Sequence, residues 1–343
     1  MFTDPRSLTF PTRGAIDAAI SRRSLLRGVA AGGAAASLGG VLSFAPPAAA
    51  AQEATPAASY APAQRVSVGQ IEVIVLDDGT FEGPASLFAV NATEAELAET
   101  MAEQGLAPTD MVPLGVHPVL VETGGQRVLL DTGIGFLNPV PGNLVAALAA
   151  EGIAPEEIDV VLLTHMHTDH FGGGLDASGA LVFPNARYLI NTAEYDFWAA
   201  EPSLDELVIP DDFKAQFRQP VKDALAALAG TLEQIAPGDE IAPGVTAVDA
   251  KGHTPGHLAV EIASDGEGML HIADAAHMPQ FHLEHPGWFL VADNWPAWTV
   301  TSRKALFDRA ADEGLLVATY HFPFPGLGRV AKDEIGWVWT AEG

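Results

Sequence analysis

Short apolar runs alternate with amphipathic stretches along most of the chain. Continuous apolar runs such as Val160–Leu163 favour buried strands, and apolar residues spaced three and four apart favour helices. The pattern predicts strands at 71–76, 119–122, 127–130, 159–163, 187–190, 245–248, 258–262, 269–272 and 316–320. It predicts helices at 94–103, 144–151, 212–229 and 299–313. Many short strands interleaved with helices indicate an α/β fold with helix-covered sheets, in one domain rather than two.

The first fifty residues differ from the rest. Arg22 and Arg23 precede an uncharged stretch rich in alanine and glycine, and small residues lead up to Gln52. We expect residues 1–51 to be a twin-arginine signal peptide, cleaved near Ala50 or Ala51, that directs the protein to the periplasm or outside the cell. The alternative is an uncleaved membrane anchor, which the glycines and prolines of the stretch disfavour. Residues 52–66 are expected to be a linker and residues 67–343 the folded domain, with no membrane contact after cleavage.

The charge balance narrows the function. The chain has 44 acidic residues against 17 Lys and Arg, a net charge of −27. An acidic surface repels phosphate backbones, so we expect no nucleic-acid partner. The absence of cysteine excludes disulfides and thiolate metal sites.

Three histidines and an aspartate lie within six residues, directly after the apolar run Val160–Leu163. Side chains two apart on an extended chain leave the same face, so His165 and His167 can converge on one point. Asp169 and His170 follow where glycines at 172–174 let the backbone turn. Imidazole nitrogen and carboxylate oxygen suit zinc and related divalent ions. The sequence therefore predicts a metal site here rather than a solvated histidine-rich loop.

Three further ligand-type residues follow other apolar runs: His253, Asp274 and His321. Each lies at the carboxyl end of a predicted strand, where open α/β sheets build their sites. With the first cluster they supply five histidines and two aspartates, enough for two metals.

These motifs resemble those of the metallo-β-lactamase superfamily. The resemblance rests on the His-x-His-x-Asp-His element at 165–170, Asp131-Thr132-Gly133, residues 252–257, Ala273-Asp274 and His321. It covers the chain from about residue 66 to the C-terminus. Residues 76–80, 183–186, 196–198 and 321–326 point to the branch of methyl parathion hydrolase and quorum-quenching lactonases.

The resemblance implies a four-layer αββα sandwich with two divalent metal ions, expected to be Zn²⁺, at one edge. His165, His167 and His253 would bind the first ion; Asp169, His170 and His321 would bind the second, and Asp274 would bridge both. A metal-bridging hydroxide would then attack the substrate. Asp169 is also a candidate catalytic residue that passes a proton to the leaving group. The branch further implies a homodimer.

Asp131 has two interpretations: it orients a ligand imidazole, or it forms the turn before Gly133. His257 is similarly open between supporting a ligand and lying in a loop. For His277, His282 and His285 we expect a pocket wall or pH-sensitive loop, and for His271 a place in the core.

The substrate is expected to be an uncharged ester, namely a lactone such as an N-acyl homoserine lactone, or an aryl ester. An organophosphate triester is the alternative, because the same nucleophile serves both. A more distant alternative is that the protein binds metal without catalysing a reaction. Many acyl homoserine lactonases carry a tyrosine shortly after the bridging aspartate, whereas residues 274–277 contain none. Trp198 and Phe136 are candidate substrate-binding residues, and Phe213 and Phe217 fall near other pocket aromatics of the branch; packing in the core is the alternative for all four.

Overall fold

The computed structural model describes residues 63–136, 141–202, 204, 205, 207, 211–334 and 336–342. The predicted signal peptide and residues 52–62 of the predicted linker lie outside them. The linker prediction is wrong at its end, because residues 64–66 belong to the first strand, which pairs with its neighbour along its whole length.

Two seven-stranded sheets form the centre of the described molecule. The N-terminal sheet has the order β1-β2-β5-β6-β7-β8-β9, with strands Gln64–Val68, Ile71–Val75, Val119–Thr123, Gln126–Leu130, Val160–Leu163, Arg187–Asn191 and Leu232–Ile235. The C-terminal sheet runs in sequence order from β10 to β16, with strands Glu240–Ala242, Val245–Asp249, Leu258–Ser264, Glu267–His271, Leu316–Ala318, Leu327–Lys332 and Trp337–Ala341. Strands β6 to β9 are parallel, as are β13 and β14; the other neighbours are antiparallel.

A separate hairpin, β3 (Gly79–Pro84) and β4 (Met111–Val116), lies outside both sheets. The helices of the described chain are α1 (Glu94–Glu103), α2 (Leu144–Ala150), α3 (Thr168–Phe171), α4 (Thr192–Ala199), α5 (Asp211–Leu228), α6 (Pro279–His282) and α7 (Pro296–Glu313). None of these helices has the length and apolar character needed to cross a membrane.

Alternating side chains explain the layering. In β2, Val73 and Val75 pack between the two sheets, whereas Ile74 packs under the helices on the opposite face. Helices α2, α4 and α5 cover the N-terminal sheet, and α7 covers the C-terminal sheet. The predicted αββα sandwich is confirmed.

All nine predicted strands and four predicted helices lie in observed elements, with ends shifted by up to three residues. The pattern missed β3 and β4 because glycine and proline interrupt both of them. It also missed the edge strands β1, β9, β10 and β16 and the strand β15 beside β16. Of these, β9 and β10 are short or polar.

Buried Asp78 joins two segments that lead to the ligand loops. Its carboxylate accepts hydrogen bonds from the backbone amides of Ile134, at 2.7 Å, and Leu144, at 2.5 Å. A side chain at Gly133 would collide with this carboxylate, since its Cβ would lie 2.3 Å from Oδ2, and the positive φ of Gly133 also favours glycine. Asp78 thus fixes the turn that follows Asp131.

We predict that Asp78→Ala lowers the free energy of unfolding by about 3 kcal/mol, because it leaves two buried amides without acceptors. Urea denaturation followed by tryptophan fluorescence measures the change. Asp77→Ala is the matched control: the more exposed Asp77 carboxylate accepts from the amide of Gly79. Equal losses of unfolding free energy in the two variants would show that the hydrogen bonds of Asp78 stabilise the fold no more than that of Asp77.

Candidate metal centre

The first ligands lie where β7 ends. His165 and His167 belong to the extended segment after Leu163, and α3 begins directly afterwards, carrying Asp169 and His170 on its single turn. The glycines that follow allow close approach of two loops: a Cβ on Gly173 would lie 2.0 Å from the carbonyl oxygen of Thr132. The predicted strand-to-turn junction is therefore present, and close packing adds to the need for glycine.

The remaining ligands come from the C-terminal sheet. His253 lies in the turn after β11, Asp274 in a 3-10 turn after β13, and His321 in the segment after β14. The two sheets therefore present their loops to a common edge. All seven predicted metal ligands meet there, in the groups His165, His167, His253, Asp274 and Asp169, His170, His321.

Asp274 lies between the two groups. Its Oδ2 is 3.6 Å from His165 Nε2 and 3.1 Å from His253 Nε2. Its Oδ1 is 3.1 Å from His170 Nε2 and 3.3 Å from His321 Nε2. Each carboxylate oxygen therefore faces one group, which is the arrangement a bridging ligand requires.

The donor set fits two divalent cations. Within the described chain, His165 Nε2, His170 Nε2 and Asp274 Oδ1 are buried without a hydrogen-bond partner. Unpaired buried polar atoms are costly, and a cation would satisfy all three. Burial raises the pKa of Asp274, but the neighbouring imidazoles of His170 and His321 outweigh it and hold that pKa well below its usual range. The Asp274 carboxylate is therefore ionised.

Hydrogen bonds behind the ligands orient the rings. His253 Nδ1 lies 2.8 Å from Asp293 Oδ1, and His321 Nδ1 lies 2.7 Å from the carbonyl oxygen of Gly115. Carboxylate and carbonyl oxygens only accept, so these Nδ1 atoms donate and the Nε2 atoms face the centre. No sequence motif pointed to Asp293, which lies 40 residues from His253.

Asp131 combines both of its predicted roles. It accepts from Thr164, through the backbone amide and the hydroxyl, and its Oδ2 lies 2.8 Å from His170 Nδ1. Its φ of 62° also places it in a tight turn. It therefore orients a ligand ring and shapes the loop.

Sequence reasoning missed Glu194, which joins the two ligand loops. This fully buried carboxylate accepts from the amides of Met166 and Gly256, both at 2.9 Å. It also accepts from Trp198 Nε1 at 2.8 Å. The Cβ of any larger residue at 256 would lie 2.1 Å from the Glu194 nitrogen, so the second loop needs its glycine.

His277 lies closer to the centre than predicted. Its Nε2 is 3.1 Å from Asp274 Oδ2, its ring stacks on His321 at 4.7 Å, and it forms a third possible metal group with those two residues. His257 helps to position Asp274, because its Nε2 accepts a hydrogen bond from the backbone amide of Asp274 at 3.1 Å.

His271, His282 and His285 lie outside the ligand groups. The Nδ1 atom of buried His282 accepts a hydrogen bond from the backbone amide of His277, and the ring of His285 stacks on that of Trp288. His271 is buried in β13, as predicted for a core residue.

The candidate pocket aromatics occupy different environments. Trp198 is 5% exposed and packs in the core beneath the ligand loop, which favours packing over contact with a substrate. Phe217 on α5 packs edge-on against His167, with ring centroids 5.7 Å apart. Phe136 is 46% exposed and precedes a segment outside the described residues; its substrate contact stays a prediction, and the side chain of Phe213 is not described. The ring centroid of Phe81, a residue that the sequence did not indicate, lies 6.0 Å from that of His321.

Comparisons with known proteins agree with this geometry. The family described as the metallo-beta-lactamase superfamily matches residues 111–317. An N-acyl homoserine lactonase of a Bacillus species is 28% identical over 227 residues, which are 58% of this chain and 80% of that protein.

Two solved structures are similar over most of their length. AidC, a dizinc quorum-quenching lactonase in complex with a product, superposes with a TM-score of 0.77 and 28% identity, covering 82% of this chain and 97% of AidC. The hydrolase AbOPH of the beta-lactamase superfamily has a TM-score of 0.76 and 26% identity, covering 83% of this chain and 99% of its own.

We predict that Glu194→Ala weakens metal binding by about 10- to 100-fold, because it frees the two loops that hold His165, His167 and His253. Chelator competition on the purified protein measures the affinity. Asp196→Ala is the matched control, since Asp196 is exposed on the same helix. Unchanged affinity in the Glu194 variant would show that the loops hold their positions without it.

Metal binding at neutral pH should release protons. Burial lowers the pKa of His253, but Asp274 and Asp293 outweigh it and raise that pKa to about 9. The carboxylates around His170 raise its pKa well above the usual value in the same way. Both rings are therefore protonated at pH 7 without metal and must lose a proton to bind one, so affinity should fall as the pH falls. Calorimetry in two buffers of different ionisation enthalpy tests this, and identical heats would refute it.

Proposed function

The chain belongs to the metallo-beta-lactamase superfamily and is a metal-dependent hydrolase, and on that premise we propose that it is a dizinc lactonase acting on N-acyl homoserine lactones or similar uncharged lactones. The observation that carries the proposal is the shared Asp274 carboxylate between two complete ligand groups. The lactonase relatives support the substrate class, because AidC and the Bacillus protein are named for this activity.

Two bound divalent ions would supply a hydroxide nucleophile near neutral pH and polarise the substrate carbonyl. His165, His167 and His253 would hold one ion and Asp169, His170 and His321 the other, with Asp274 between them. The rings are oriented in advance by Asp131 and Asp293, so little reorganisation is needed during the reaction.

Asp169 is suited to move the proton. Its side chain is 18% exposed, whereas the other six ligand residues are almost completely buried. Its Oδ2 lies 3.6 Å from His321 Nε2 and 3.9 Å from His170 Nε2. We propose that this carboxylate takes up a proton at the open side of the centre and delivers it to the alkoxide oxygen that leaves when the lactone ring opens.

The surroundings of the centre favour an uncharged, partly apolar substrate. Phe217 stands against His167 on one side, and Phe81 stands against His321 on the other. Aromatic walls beside a polar reaction centre suit an acyl chain attached to a lactone ring. The net charge of −27 works against anionic substrates.

Rates on an N-acyl homoserine lactone, an aryl ester, a phosphotriester and a β-lactam, measured side by side on the zinc-loaded protein, test the proposal. We predict the highest kcat/KM on the lactone. A phosphotriester rate above the lactone rate would favour the organophosphate alternative instead.

We further predict that Asp274→Ala abolishes turnover on every substrate, because it removes the group shared by both ligand sets. Metal analysis should show a reduced content in the same variant. Near-normal turnover in Asp274→Ala would refute the two-metal centre itself, whatever the substrate.

A further inference from the structure

Helix α7 carries a buried cation next to the metal centre but outside the ligand set. Arg303 is fully buried and is the largest completely buried side chain in the described chain. Burying a guanidinium is costly unless its donors are satisfied. An arginine in this position therefore calls for a structural or functional reason.

The contacts of Arg303 connect two segments that bear on the metal ligands. Its Nε donates to the carbonyl oxygen of Ala275 at 2.5 Å, one residue after the bridging Asp274. One terminal nitrogen donates to the carbonyl oxygens of Pro286, at 3.1 Å, and Trp288, at 2.5 Å. Both carbonyls belong to the segment that leads to Asp293.

The segment that Arg303 holds also positions Asp293. Two residues after Trp288, the backbone amide of Leu290 donates a hydrogen bond to Asp293 Oδ2 at 2.9 Å. Asp293 Oδ1 in turn accepts from His253 Nδ1 at 2.8 Å and so keeps His253 Nε2 directed at the centre.

We propose that Arg303 is a positioning residue for the metal centre: it fixes Asp274 through the Ala275 carbonyl and His253 through Asp293. The planar guanidinium places donors in fixed directions, so it can hold carbonyls of both segments at once. A lysine ammonium keeps the charge but lacks this fork. The inference concerns metal binding alone and does not depend on which ester the protein hydrolyses.

Metal binding to the purified full chain tests the proposal, with Co²⁺ and Zn²⁺ as probes. Arg303→Met removes the charge and the planar guanidinium but keeps a side chain of similar length. It should weaken metal binding by about 10- to 100-fold and alter the visible spectrum of bound Co²⁺. Arg303→Lys should lose less affinity, because an ammonium group can still donate to one of the carbonyl oxygens that the guanidinium holds. Arg309→Met is the control, since Arg309 lies on the same helix and pairs with Glu261 and Glu313 at the surface.

A double-mutant cycle with Asp293→Asn separates positioning from general support of the fold. If Arg303 acts through Asp293, the losses of metal affinity in Arg303→Lys and Asp293→Asn should be less than additive in the double variant. Fully additive losses would overturn that route.

Wild-type affinity and an unchanged Co²⁺ spectrum in a folded Arg303 variant would overturn the whole proposal. If Arg303→Met does not fold, the lysine variant alone decides between these outcomes. If the protein does not hydrolyse lactones but the Arg303 variants still bind metal more weakly, the proposed function is wrong and this inference stands.

Discussion

The crowding of imidazoles around one buried carboxylate is the constraint on which the site depends. Three histidine rings face Asp274 Oδ2 and two face Oδ1, all within 3.6 Å. Such a cluster has no place in a hydrophobic core, because buried polar groups without partners are destabilising. The ligand loops must therefore be held from outside, and Asp131, Glu194 and Asp293 do this by accepting hydrogen bonds from backbone or from ring nitrogens.

The sequence predicts most of the central strands and the residues that cluster at the candidate metal centre, and the resemblance to a known superfamily implies the four layers. Apolar runs such as Val160–Leu163 mark buried strands by themselves, and the histidines directly after them need no distant partner to be recognised. Glu194, Asp293 and Arg303 carry no such mark. Each acts across a long separation in sequence, as Glu194 does on Gly256, 62 residues away, so only the folded chain reveals their contacts. The hairpin of β3 and β4 was missed for a related reason: pairing and packing override the unfavourable glycine and proline within it.

The aromatic residues show where residue type fails to indicate a role. Trp198 and Phe217 are both large apolar side chains on helices that cover the N-terminal sheet. The indole of Trp198 points to Glu194 beneath the loop, whereas the ring of Phe217 meets His167 directly. Their difference arises from the orientation of α4 and α5 on the sheet, which a single sequence does not encode in any short pattern.

The ligands are divided between the two sheets, four on the loop after β7 and three on loops of the C-terminal sheet. Ions bound between them would link the edges of the two sheets across long stretches of chain. Closing such long loops removes freedom mainly from the unfolded chain. Such ions would also constrain the distance between the loops that bear their ligands, so metal supply would affect the shape of the site as well as its reaction.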